Sequence, residues 1–250
     1  MEDIWKNIND LLARTSANIN ILEEKIDVNV QRRFMELSAR LRSGEEEEEF
    51  ENMMQRAREN VERLFDSEVS DEEKKELLVV LSAIDDVAIY RAIESFSKQR
   101  SRLKKWATVA LQQSRMLIQS ALMDETSLFV STGLGGSGSN LRYFCVLIVN
   151  KGMELKPFQR NVIRGEAQLA IEKQGGSIEQ CDIRDRYVTM MLLLPLLTDL
   201  RPLFDGLIEE CNKYGNFLHE HIIITNVKRI STREIEQLIH NEMNREDEAD

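Results

Sequence analysis

Two histidines separated by one residue, His219-Glu220-His221, form the densest imidazole pair in the chain. In an extended segment that spacing puts both rings on one face, as a bound metal ion requires. Upstream, Gly133-Leu134-Gly135-Gly136-Ser137-Gly138 fits the pattern GxGxxG, whose glycines let backbone amides approach a phosphate closely. A basic stretch, Lys98, Arg100, Arg102, Lys104 and Lys105, could hold an anion, a phosphate backbone or an acidic partner. Glu179, Asp182 and Asp185 could supply a metal site or an acid–base pair.

Each motif also has a plainer reading. A dinucleotide site needs its glycine loop between a strand and a helix, but here the β-branched and aromatic run Tyr143–Val149 follows. A P-loop needs a lysine that this loop lacks, and no protein-kinase signatures follow it, so a hairpin or connector also accounts for the glycines. Two strand-end histidines need no ligand, and His240 stands alone on a helix. The basic stretch could be a solvated helix end. Cations at a helix N-terminus oppose its dipole, however, which points to a partner, with the acidic run Glu45–Glu49 as the internal candidate. Turn chemistry accounts for Asp185 and its neighbours. Cys145, Cys181 and Cys211 show no zinc or CxxC spacing, and Cys145 and Cys211 fall in apolar patterns. No cofactor is implied.

These residues must be positioned by the elements around them. The first half reads as helix almost throughout: Ile4, Ile8, Leu11, Ile19, Leu22 and Ile26 fall at helical spacing, and Val30, Phe34, Leu37 and Leu41 continue to Gly44. Glu45–Glu49 either opens the next helix or is a solvated linker. Ser70 followed by Glu73 is a capping-box signature, and three helices are expected between Ser70 and Met123, broken at Asp85-Asp86 and near Arg100. The segment from Leu77 through Asp85-Asp86 to Ser114 resembles a single HEAT-like helical repeat, which implies a protein-binding role for packed antiparallel helices.

The second half changes texture. From residue 141 the order is strand, helix from Pro157 to Gly175-Gly176, weak strand Ser177–Ile183, strong strand Tyr187–Leu194, helix Asp199–Tyr214, strand Ile222–Val227, and a last helix capped by Ser231. This βαββαβ order resembles the ferredoxin-like split βαβ fold. That fold places its first and third strands centrally, and here those two are the most continuously apolar. Strands apolar on both faces need both covered. The N-terminal helices, or a second copy of the chain, are therefore expected on the face opposite the two crossover helices. A histidine pair on such a sheet is similar to the HUH nucleases, which implies a metal ion and a helical tyrosine nucleophile. Tyr214 would be that tyrosine, although the middle residue here is Glu rather than a bulky hydrophobe.

The fold class expected is thus α+β: an all-α helical region over 1–125, then a ferredoxin-like domain over 126–250 with a C-terminal helix and acidic tail. The 250 residues carry a net charge of -11, so general binding to nucleic acid or to anionic membranes is disfavoured. The acids concentrate between residues 44 and 76 and in the tail. No apolar run approaches a membrane span, and the N-terminus lacks signal-peptide character. With no complete catalytic set, the expected function is a non-enzymatic cytoplasmic interaction or regulatory protein. Its helical surface would bind a protein partner, or the chain would self-associate, with nucleic acid an unlikely partner and no membrane. A small-ligand sensor built on the sheet and a metal-dependent nuclease using His219 and His221 are the alternatives.

Overall fold

The computed structural model describes residues 18–42, 47–123 and 127–247. Backbone contacts divide the chain into two units, Met1–Ser131 and Thr132–Asp250.

In the first unit, β1 (Asn18–Ile21) pairs in parallel with β2 (Ser127–Val130). Five helices lie between them: α1 (Val28–Arg42), α2 (Glu47–Glu59), α3 (Asp71–Leu81), α4 (Val87–Ser97) and α5 (Lys104–Met123), with a 3₁₀ turn at Val61–Leu64. The expected stops and starts are built locally. The Ser70 hydroxyl accepts from the Glu73 amide while the Glu73 carboxylate accepts from the Ser70 amide, and Asp86 caps α4 through the Ala88 amide. The helices close over one core that includes Phe34, Leu64, Leu78, Leu81, Ile93 and Ala107. Phe34 and Trp106 meet with ring centroids 5.3 Å apart, and the Trp106 indole N–H donates to the Lys75 carbonyl at 3.2 Å. Burial of each such side chain contributes roughly 1.5–3 kcal/mol before entropy is charged against it.

Two expectations change here. The region read by its spacing as helix around Ile19 is a strand, because its partner lies more than a hundred residues away in β2. The part of that run at residues 4–17, and Glu45 and Glu46 of the acidic run, lie outside the described residues, while Glu47–Glu49 open α2. No HEAT repeat is present among the described residues. The apolar faces of α4 and α5 enter one core shared with α1 and α3, rather than a layer left open for a stacked neighbour.

The second unit is the ferredoxin-like sheet. Strands β4 (Asn140–Val149) and β6 (Tyr187–Pro195) are central and buried along nearly their whole length, flanked by β7 (Leu218–Thr225) and β5 (Ser177–Ile183) in the order β7-β4-β6-β5, all antiparallel. A two-residue strand, β3 (Gly136–Ser137), pairs with the start of β4. Helices α6 (Pro157–Lys173) and α7 (Leu200–Asn212) make the crossovers and bury Ile163, Ala167, Ile171, Phe204, Leu207 and Cys211. The edge position of β5 explains its half-polar sequence: its side chains are exposed or half-buried.

The opposite face of the sheet is covered from within the unit. Phe144, Val146 and Ile148 alternate onto it and join Tyr187, Met191 and Leu134. The last helix, α8 (Thr232–Asp247), lays Ile235 and Ile239 over this cluster. The cover expected from the N-terminal helices is thus supplied by α8, whose apolar residues at i and i+4 form one stripe.

Candidate active site

The turn from α7 into β7 is clamped before the histidines begin. The Asn212 side chain both donates to the Leu218 carbonyl at 2.7 Å and accepts from the Leu218 amide at 2.8 Å. From the far side, Asn150 at the end of β4 donates to the Asn216 carbonyl at 2.8 Å. Gly215 and Asn216 carry φ of +131° and +48°, the left-handed values the turn needs and that Gly and Asn tolerate. The clamp holds Leu218 buried and sends His219 and His221 outward along β7.

The two imidazoles lie with ring centroids 5.1 Å apart. His219 lines an open groove of about 1180 Å³ together with His221, Lys213, Arg201, Asn150 and Asn216. Its acids are Asp205, Glu209 and Glu220, so charge of both signs faces the space. Lys213 is held charged by a 2.6 Å contact with Glu210, which raises its pKa above the usual lysine value. His221 also borders a second, more apolar groove of about 550 Å³ beside Ile148, Phe204 and Ile222.

The donor set does not fit a metal ion. A metal-binding imidazole presents one nitrogen to the ion and donates its other ring N–H to an acceptor. Here the His221 amide donates to Nδ1 of His219 at 3.0 Å, so Nδ1 carries no proton in the neutral ring and Nε2 is the donor. Among the described residues, no cluster of three or more His, Cys, Asp or Glu side chains is placed to hold an ion. Tyr214 is half exposed in the turn after α7 and is not among the residues lining the groove.

The glycine loop is used by the fold. The amide of Leu134 donates to the Asn226 carbonyl at 3.0 Å, that of Gly135 to the Thr132 carbonyl at 3.2 Å, and Gly136 and Ser137 pair with Leu141 and Asn140. Gly138, at φ +57°, is the first residue of the two-residue turn between β3 and β4. The three candidate carboxylates each face an arginine: Glu179 with Arg142 at 2.6 Å, Asp185 with Arg160 at 2.8 Å and Asp182 with Arg229 at 3.7 Å. Cys145 and Cys211 are fully buried, and burial pushes the Cys211 thiol up to about 12 and that of Cys145 higher still. The basic residues Lys98, Arg100, Arg102, Lys104 and Lys105 all stand exposed at the corner between α4 and α5. Sequence reasoning missed Asn150 and Asn212. Each is an ordinary turn or helix-end residue until the fold brings it to Leu218.

No protein-family model and no curated protein matches the chain. Among solved structures, the chain is similar to a protein of Deinococcus radiodurans R1 assigned as a transposase, with 12% identity and a TM-score of 0.37 over 41% of this chain and 90% of that one. It is also similar to a REP-associated tyrosine transposase bound to a REP hairpin, with 11% identity and a TM-score of 0.31 over 38% of this chain and 60% of that one. The expectation of a non-enzymatic protein-binding protein, with nucleic acid an unlikely partner, is at odds with these neighbours, which are named as transposases, one of them bound to a REP hairpin. The physical reason is that a net charge of -11 is a sum over the whole surface. It coexists with a run of exposed cations from Lys98 to Lys105. Among the described residues no helix is long and apolar enough to cross a membrane.

Proposed function

We propose that the C-terminal unit is a nucleic-acid-processing domain that takes a strand into the groove between α7 and β7 and cleaves its phosphodiester backbone with His219 and His221. The observation that carries the reading is the imidazole pair itself, 5.1 Å apart on a clamped strand and open to the groove. Two imidazoles at that separation can flank one phosphate. One accepts a proton from an attacking water as its oxygen bonds to phosphorus. The other, for which the Nε2–H of His219 is set, gives a proton to the ester oxygen that leaves. Arg201 and Lys213 supply positive charge to the phosphoryl oxygens. The three cysteines are free thiols, which fits a reducing compartment such as the cytoplasm.

The test is incubation of the purified chain with end-labelled single-stranded and hairpin oligonucleotides of DNA and RNA, with magnesium or with a chelator. Cleavage by the wild type that falls at least ~100-fold in the H219A/H221A variant, with its melting temperature kept, is the expected result. Cleavage of equal rate in that variant, or none by the wild type on any substrate, would overturn the reading.

A further inference from the structure

The corner between α4 and α5 carries a second charged feature, remote in sequence from the histidines. Residues 98–105 read Lys-Gln-Arg-Ser-Arg-Leu-Lys-Lys: five cations and no acid in a chain of net charge -11. Lys98 is answered by Glu94 at 3.5 Å, and the same carboxylate takes Arg91 at 3.0 Å. Glu94 is thereby held below the usual carboxylate range, chiefly by its hydrogen bond to Arg91. Arg100, Arg102, Lys104 and Lys105 take no carboxylate partner among the described residues, and all four are exposed. The first turn of α5 contains no acid, so Lys104 and Lys105 stand at the positive end of a 20-residue helix. This placement lowers stability through the dipole and through mutual repulsion.

The corner is also preformed. The Ser101 amide donates to the Gln99 carbonyl at 3.0 Å, the Leu103 amide to the Ser101 hydroxyl at 3.0 Å and the Lys104 amide to the Ser101 carbonyl at 3.2 Å. Leu103 and Trp106 are buried beneath it. The cations are therefore presented from a rigid turn, so fixing them against a polyanion costs less backbone entropy than it would on a loose tail.

We infer that Arg100, Arg102, Lys104 and Lys105 form a backbone-binding anchor for the phosphates of a nucleic-acid strand, separate from the residues that act on it. The inference rests on the proposed function for the class of polyanion, and on the unanswered cations for the place. An anchor of this kind reads phosphate spacing and charge, so its contribution is independent of base sequence and falls with salt.

The test uses the full chain and a fluorescein-labelled single-stranded oligonucleotide, with affinity read by anisotropy from 50 to 300 mM salt. In the R100Q/R102Q/K104Q/K105Q variant, binding at the lowest salt weakens by at least ~10-fold, and the slope of log affinity against log salt drops by about 0.7 for each phosphate no longer neutralised. The melting temperature stays at or above that of the wild type, since the removed charges oppose the helix dipole. A wild type that binds through the corner yet cleaves nothing would remove the proposed function and leave the anchor standing. Unchanged affinity and slope in the quadruple variant would overturn the anchor. So would tighter binding of polyglutamate than of the oligonucleotide at equal chain length, because the occupant would then be an acidic polypeptide.

Discussion

The backbone amide of His221 donates to Nδ1 of His219 across 3.0 Å. This one hydrogen bond assigns the proton of the neutral His219 ring to Nε2, so that Nε2 is the ring's donor. A residue two positions along the same strand thus decides whether its neighbour can serve as a metal ligand.

The first prediction follows from that bond. Titration of the chain with manganese or zinc should show no one-to-one site that depends on the histidines, and oligonucleotide cleavage should survive a chelator. A stoichiometric site present in the wild type and absent in H219A/H221A, read calorimetrically, would show that both rings turn to offer lone pairs to an ion.

A second prediction concerns Arg142. Its guanidinium grips Glu179 with two bonds of 2.6 and 2.7 Å while donating to the Leu134 carbonyl at 2.9 Å, so it ties β4, β5 and the glycine loop together. Its side chain is only 11% exposed. Removing the carboxylate in E179A leaves this charge largely desolvated and should lower stability by about 2 kcal/mol. R142K should recover little of what R142A loses, because an ammonium cannot reproduce the planar fork. Urea unfolding followed by a probe in the C-terminal unit would measure both.

The glycine loop gives a contrast within six residues. A Cβ at Gly133 would lie 1.7 Å from the Val227 carbonyl oxygen, which is backbone and cannot swing aside. Gly133→Ala should therefore cost at least ~3 kcal/mol, separating the loop from the strand end it rests on. At Gly138 nothing lies within 4 Å, and only the φ of +57° resists a side chain. Gly138→Ala should cost about 1–2 kcal/mol. Equal losses would mean that the loop does not rest against Val227.

The attachment of α8 should be acid-sensitive. Glu234 closes the capping box with Ser231 and also takes Lys228, and the Lys228 contact first, then the Ser231 bonds, hold its pKa down at about 2. A carboxylate depressed in the folded state contributes fully above its ordinary value of 4.5, and that contribution is lost as pH falls towards 2. Between those limits the start of α8 should loosen first. Binding of a dye that reports exposed apolar surface should then rise as the sheet face around Phe144 and Met191 is uncovered. I239A, which removes a buried side chain from the same contact, should cost about 2–4 kcal/mol at neutral pH and move the dye transition to higher pH. An unchanged transition in I239A would show that α8 is not what protects that face.

Much of this architecture is written in short-range signals. Ser70 with Glu73 and Ser231 with Glu234 cap their helices three residues away, and Pro157 and Gly175 bound α6 through their own backbone preferences. The apolar density of β4 and β6 against the half-polar β5 gives the central and edge places in the sheet, because a central strand is covered on both faces. Such features depend on a residue and neighbours within one or two helical turns, and the chain determines them by itself.

What only the tertiary structure decided depends on partners far apart in sequence. Ile19 has helical spacing but becomes a strand through a ladder to Leu128, and the sheet face was closed by α8 when residue patterns allowed other covers. Asn150 reaches Asn216 across 66 positions to set the turn that aims the histidines. The spacing of His219 and His221 put both rings on one side. The His221 amide that donates to Nδ1, which turns a metal pair into a proton-donating one, is placed there by the backbone of β7, where its pairing with β4 is irregular. A period of two is a property of the chain, whereas the direction of a hydrogen bond belongs to the folded backbone.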